Sequence, residues 1–172
     1  MTRYLVLTVI ADDRPGLVES LAAVIAENSG SWLESSMSQL AGKFAGILKV
    51  SVDDASLDQL ELALGSLGGL KLVIERVVTD ETVGRPITVE LNLVANDRPG
   101  IVREISHAVA DLSVNVEKLI TNCSSAPMSG VTLFKANAIL KVPPSLELSK
   151  LQEELESLAD DMMVEINVSQ LS

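Results

Sequence analysis

The residues best placed for chemistry are Asp13-Arg14-Pro15-Gly16, which recur unchanged as Asp97-Arg98-Pro99-Gly100. Their chemistry would be recognition rather than bond making. Proline fixes φ near the helical value and has no N–H to donate, so Pro15 and Pro99 suit the first position of a helix. Gly16 and Gly100 would then leave the backbone bare beside unsatisfied N–H groups, and such a helix start is a natural carboxylate site. Asp13 and Asp97, just upstream, are placed to accept hydrogen bonds from an ammonium group. Together these features match a zwitterion, that is, an amino acid. The plainer alternative is that Asp, Pro and Gly form a turn in which Asp caps the helix. Two copies weigh against it, because ordinary turns tolerate other sequences. Arg14 and Arg98 read most simply as solvated surface residues, with ligand anchoring as the sharper alternative. If the glycines serve close backbone approach, Gly100→Val is expected to block a ligand while sparing the fold.

The repeat extends well beyond the turn. At an offset of 84 residues Ala11 meets Ala95, Leu17 meets Ile101, Val18 meets Val102, Leu21 meets Ile105 and Ile25 meets Val109. The chain is therefore a duplication. In the first copy, Arg3 to Ile10 has strand character. Leu17, Leu21, Val24, Ile25 and Asn28 fall at helical spacing, which predicts a helix over Gly16 to Asn28. Strands follow near Ser31 to Leu40 and Phe44 to Val52, joined by a tight Ala41-Gly42 turn. Ser56 with Gln59 resembles a capping box and opens a helix carrying Leu57, Leu60, Leu64 and Leu67. Gly68-Gly69 is expected to stop it before a strand over Leu70 to Val78. In the second copy the strands are expected near 87–95, 114–123, 132–142 and 162–169. The last is drawn from the alternation of Met162, Val164, Ile166 and Val168. A longer hairpin at Ser124 to Gly130 has the composition of an exposed loop.

Each copy is thus βαββαβ. The expected fold class is α+β: two ferredoxin-like modules, each an antiparallel four-stranded sheet with helices on one face. The expected domains are residues 1–79 and 86–172, with a linker at 80–85. A connection of no more than roughly 25 Å between two small modules predicts that they pack together. Tyr4, Val6 and Ile10, alternating with Leu5, Leu7 and Val9, leave neither face of the first strand polar, in keeping with that packing.

The chain has a formal net charge of −11 and only four aromatic residues. Such a surface repels a phosphate backbone, and the basic residues are scattered singly, so direct nucleic-acid binding is disfavoured. No stretch approaches the roughly 18 apolar residues of a membrane span. The apolar run from Tyr4 to Ala11 is explained better by a strand than by a signal peptide, because a similar run recurs at Ile87 to Ala95. The lone Cys123 asks for no oxidising compartment, and a cytoplasmic location is expected. Cys123 reads as inert, His107 as a surface histidine one position off its helix's apolar stripe, and Asp160-Asp161 as a solvated helix end. No Ser-His-Asp set, metal-ligand cluster or phosphate-cradling loop is present. The expectation is a protein without catalytic activity, cofactor or metal.

The pattern of strand, Asp-Arg-Pro-Gly-(Leu/Ile)-Val, helix and Asn-Val resembles the ACT domain, a βαββαβ module that senses amino acids. Two such modules in an acidic chain of this length resemble the glycine cleavage system transcriptional repressor group. The resemblance spans roughly 3–78 and 86–170; formyltetrahydrofolate deformylases carry a similar opening segment. It implies a ligand site around Asp13, Arg14, Pro15, Gly16, Leu17 and Ser31 in the first copy. In the second it implies Asn96, Asp97, Arg98, Pro99, Gly100, Ile101 and Asn115. Serine-sensing ACT domains hold their ligand with two asparagines, which correspond here to Asp13 with Ser31 and to Asp97 with Asn115. The second copy keeps one of the two and is the favoured site, so Asn115→Ala should weaken binding more than Ser31→Ala. Ligands of the family usually sit between modules. The resemblance further implies a glycine-responsive anti-activator that touches a LysR-type transcription activator rather than DNA, and a homo-oligomer. A detached regulatory subunit acting on a metabolic enzyme is the alternative, and a ligand-free scaffold is a third reading.

Overall fold

The computed structural model describes residues 1–78, 86–126, 130–162 and 165–171. The chain divides into two compact units, Met1–Glu81 and Thr82–Ser172. The first is β1(Thr2–Asp12), α1(Leu17–Glu27), β2(Ser31–Leu40), β3(Lys43–Asp53), α2(Leu57–Gly65) and β4(Lys71–Val77). The second is β5(Ile87–Asn96), α3(Ile101–Asp111), β6(Asn115–Ser125), β7(Thr132–Val142), α4(Leu148–Met162) and β8(Glu165–Gln170). The sheets run β2-β3-β1-β4 and β6-β7-β5-β8, with every neighbouring pair antiparallel. This is the expected α+β fold.

Alternation decides which face each sheet buries. Leu5, Leu7, Val9 and Ala11 of β1 are buried, as are Val89, Leu91, Leu93 and Ala95 of β5. Against the β1 residues lie Leu21 and Ile25 of α1 and Leu57, Leu60 and Leu64 of α2. The second unit repeats the spacing of the latter with Leu148, Leu151 and Leu155, of which the last two are buried. On the opposite face of β1, Tyr4 and Val6 are half-buried and Ile10 is exposed. Even the irregularities are duplicated: β2 bulges between Trp32 and Glu34, and β6 between Val116 and Lys118.

Several local expectations are corrected. Helix α2 ends at Gly65, with Ser66 as its C-cap, three residues before Gly68. Ser56 makes no side-chain cap bond, because a single 3-10 turn over Asp54–Ser56 feeds the helix and holds Ser56 at φ −103°, ψ −3°. A capping serine needs an extended backbone to aim its hydroxyl at the first turn. Met162 belongs to the end of α4 rather than to the last strand. Val164, the 80–85 linker and Pro127, Met128 and Ser129 of the long hairpin lie outside the described residues. No described helix is long and apolar enough to cross a membrane.

The two cores are filled differently. An apolar pocket of about 30 Å³ between α3 and β6–β7, open to solvent beside Val102, Val116 and Leu119, is lined on its inner side by Leu91, Ile105, Val109, Phe134 and Ala138. In the first unit the counterpart of Val116 is Trp32, which packs on the core. The counterpart of Ala138 by strand register is Leu48. The second unit thus has smaller side chains at two adjacent positions. Ala138→Val, which restores two carbons on a strand that favours branching, is expected to stabilise the protein by about 1 kcal/mol. The urea midpoint should rise; a lower midpoint would show that the pocket cannot accept a branched chain.

Candidate functional site

Both repeated turns are tied to the sheet before they reach the helix. The Asp13 N–H donates to the Gly42 carbonyl at 2.9 Å, and the Asp97 N–H donates to the Thr132 carbonyl at 2.9 Å. The helices then begin two residues later than proline at the first helical position would require. Gly16 and Gly100 are the N-caps, with φ of 89° and 95°, and Leu17 and Ile101 are the first helical residues. Pro15 and Pro99 therefore precede the cap. A left-handed cap costs glycine nothing and other residues about 1–2 kcal/mol, which is why glycine stands at both.

The N-caps are glycines and supply no side-chain hydrogen bond to the first turn of either helix. A Cβ built on Gly16 meets nothing within 4 Å, and one on Gly100 meets only Glu104 Oε1, at 3.5 Å. Gly16→Ala and Gly100→Ala should each cost about 1–2 kcal/mol through backbone strain alone, measurable as lowered denaturation midpoints. Gly100→Val, expected from sequence to block a ligand while sparing the fold, carries this strain too, so its stability is to be measured beside its binding.

Beyond the turns the two copies diverge. In the first, Arg14, Pro15, Gly16, Leu17 and Ser20 line a cleft of about 260 Å³ whose far wall is Leu67, Gly68 and Leu70. Arg14 reaches across it: its guanidinium lies so close over Gly69 that a Cβ there would collide with it. Gly69 itself has φ of 80°. Among the described residues no carboxylate lies within ion-pair distance of Arg14. The Ser20 hydroxyl, one turn into α1, donates to the Gly16 carbonyl at 2.8 Å. The cleft thus combines an unblocked helix start with an uncommitted guanidinium, two features that favour a carboxylate.

In the second copy the arginine is committed. Arg98 donates to Glu104 through both terminal nitrogens, at 2.9 and 2.8 Å. Each partner stabilises the other's charged form: the Glu104 carboxyl is held below its ordinary range by the Arg98 hydrogen bonds, and Arg98 is raised by Glu104. Pro99, Gly100, Arg103, Glu104 and His107 line an open cleft of about 500 Å³. At the position of Glu104 the first copy has Ser20.

Of the other sequence-predicted residues, Asp13, Asn96, Asp97 and Asn115 are exposed, as is Ser31, while Ile101 is buried. Ser31 and Asn115 open β2 and β6, and Asn96 ends β5; none of the three lines either cleft. Sequence reasoning missed Ser20, Glu104 and the Gly68–Leu70 loop. Comparing the copies at every position, rather than only where they agree, would have singled out Glu104 against Ser20.

Residues 3–69 match the ACT domain family model. No curated protein matches the chain by sequence. Among solved structures, a protein of unknown function from Galdieria sulphuraria is 25% identical, with all of both chains covered and a TM-score of 0.89. A candidate glycine cleavage system transcriptional repressor is 19% identical, with 100% of this chain and 99% of that one covered and a TM-score of 0.75. The latter likeness is one of fold. The first unit of the chain carries an ACT domain and the second repeats its topology strand for strand, so the protein is a tandem of two ACT-like modules.

Proposed function

We propose that this protein senses an amino acid, with glycine the first candidate, in the α1 cleft of its first module. Its output is contact with another protein, a LysR-type transcription activator in the leading reading, and it performs no catalysis. The observation that carries the ligand reading is the Arg14 guanidinium, with no carboxylate in ion-pair distance among the described residues, beside the open Gly16 helix start. A ligand carboxylate would accept from both, and the Asp13 carboxylate upstream would accept from the ammonium. The anti-activator role is supported by the fold shared with a candidate glycine cleavage repressor. The net charge of −11 favours a protein partner over DNA. Long exposed edge strands, β2 and β6, support self-association.

Thermal-shift screening against the amino acids tests the ligand reading. A binder at 100 times its Kd should add about 2.7 kcal/mol of apparent stability, and glycine should be among the binders. Flat melting curves throughout would favour a ligand-free scaffold. Recovery of a LysR-type regulator by pull-down would support anti-activation; recovery of a biosynthetic enzyme in its place would support a detached regulatory subunit.

A further inference from the structure

We infer that two copies of this chain associate through the outer sheet face of the first module, about a two-fold axis along β1 that sets Lys49 of each copy against Glu75 of the other. The inference rests on the self-association proposed above and gives it a surface other than the strand edges. The duplication shows that the fold does not need this face to be apolar. In the second unit the outer row across β7, β5 and β8 is Asn137, Asn92 and Asn167. There Asn137 Nδ2 donates to Asn92 Oδ1 at 2.7 Å and to Glu90 Oε1 at 2.6 Å. The equivalent row of the first unit, across β3, β1 and β4, is Ile47, Thr8 and Val73. Ile47 is 55% and Val73 57% exposed, and Tyr4, Val6 and Ile10 continue the patch along β1. Apolar side chains gathered on this face in one copy alone mark a contact surface.

Charge complementarity selects the occupant. One row along, Lys49, Val6 and Glu75 lie abreast, with Glu34 beyond Lys49 on β2. The Lys49 ammonium lies 5.2 Å from the Tyr4 ring centroid. Among the described residues neither Lys49 nor Glu75 has an opposite charge within ion-pair distance. Facing sheets pack with their strands nearly aligned. Turning a second copy about an axis along β1 carries its β4 over β3. The partner's Glu75 then meets Lys49 and the partner's Val73 meets Ile47, and both contacts recur on the other side of the axis, as an isologous interface requires. An axis between β1 and β3 would instead set the partner's Glu75 on Glu34. One across the strands at Thr8 would bury Lys49 against the partner's Ala45. Three strands about 4.8 Å apart and seven residues of about 3.4 Å span roughly 14 by 24 Å. Counting both copies, the contact stands near the lower limit of about 1,000 Å² for specific interfaces, so the dimer should dissociate on dilution.

The test is sedimentation equilibrium of the full chain over a dilution series. The wild type should pass from two chains to one as it is diluted. Lys49→Glu brings like charges together at both symmetric contacts, as does Glu75→Lys, and each should raise the dimer dissociation constant at least about 100-fold. Mixed in equal amounts, the two variants should pair with each other at close to wild-type strength, because each supplies the charge the other has lost. Mixing cannot repair a folding defect, so recovery reads the contact itself. A wild type that sediments as one chain at every concentration, the outcome expected if the face serves a different protein, would overturn the self-association reading and this surface with it. A wild-type dimer that both single variants preserve would overturn the face and leave association at the strand edges standing. Variants that come apart singly and fail to recover on mixing would overturn the pairing of Lys49 with Glu75.

Discussion

Arg14→Gln is expected to weaken amino-acid binding by about 10- to 100-fold, the loss of a charge-assisted hydrogen bond worth roughly 1.5–3 kcal/mol. The size follows from what the guanidinium lacks in the free protein. An arginine already paired with a carboxylate must break that pair before it can serve a ligand, so the net gain is small. Arg14 reaches over Gly69 with no acidic partner among the described residues. Its full interaction is therefore available. Arg98→Gln is the matched control, because Arg98 is engaged by Glu104 and its loss should leave affinity within about twofold. Calorimetry on the two variants separates the copies. If Arg98→Gln is the damaging change and Arg14→Gln is benign, the ligand lies in the second module. The expectation then returns to the one drawn from Asn115.

That reversal between copies shows which features were legible in the sequence. The fold was readable because the duplication offered two independent samples of each periodicity. Leu5, Leu7 and Val9 alternate as Val89, Leu91 and Leu93 do, and both sets are buried. Errors arose where a local rule had two outcomes and the sequence carried no term to choose between them. Proline suits the first helical turn, but a turn that must reverse direction needs a positive φ. The glycine took the cap and displaced the proline outward. Ser56 with Gln59 has the letters of a capping box, yet the 3-10 turn before it sets the wrong backbone angles. Met162 shares the parity of Ile166 and Val168, yet α4 still includes it. The site was half legible: the turn could be found by its repetition, and its two states could not. Whether an arginine is free or engaged depends on a residue six positions on, one helical turn away in space. Similarity between copies conceals that kind of difference, since the eye rests on the letters that agree.

Leu60→Ala is expected to be the most damaging of these changes, costing about 2–5 kcal/mol and unfolding much of the first module. Leu60 is fully buried on α2 and faces the sheet with Leu57 and Leu64. The Cδ2 of Leu60 also lies 3.3 Å from where a Cβ on Gly30 would stand, so the neighbouring backbone is already at close quarters. A module of about 80 residues has roughly 4–12 kcal/mol of stability to lose, and the cavity left by three carbons is comparable with the lower part of that range. Leu151, fully buried at the same place in the leucine spacing of α4, is the control. Hydrogen exchange reports each module separately. Leu60→Ala should strip amide protection from β1, β3 and α2 and abolish glycine binding. Leu151→Ala should strip it from β5, β7 and α4 and, with the ligand in the first module, spare binding wherever that module stays protected. Equal loss of binding from both variants, with the first module's amides still protected in Leu151→Ala, would mean that the second module supplies part of the site.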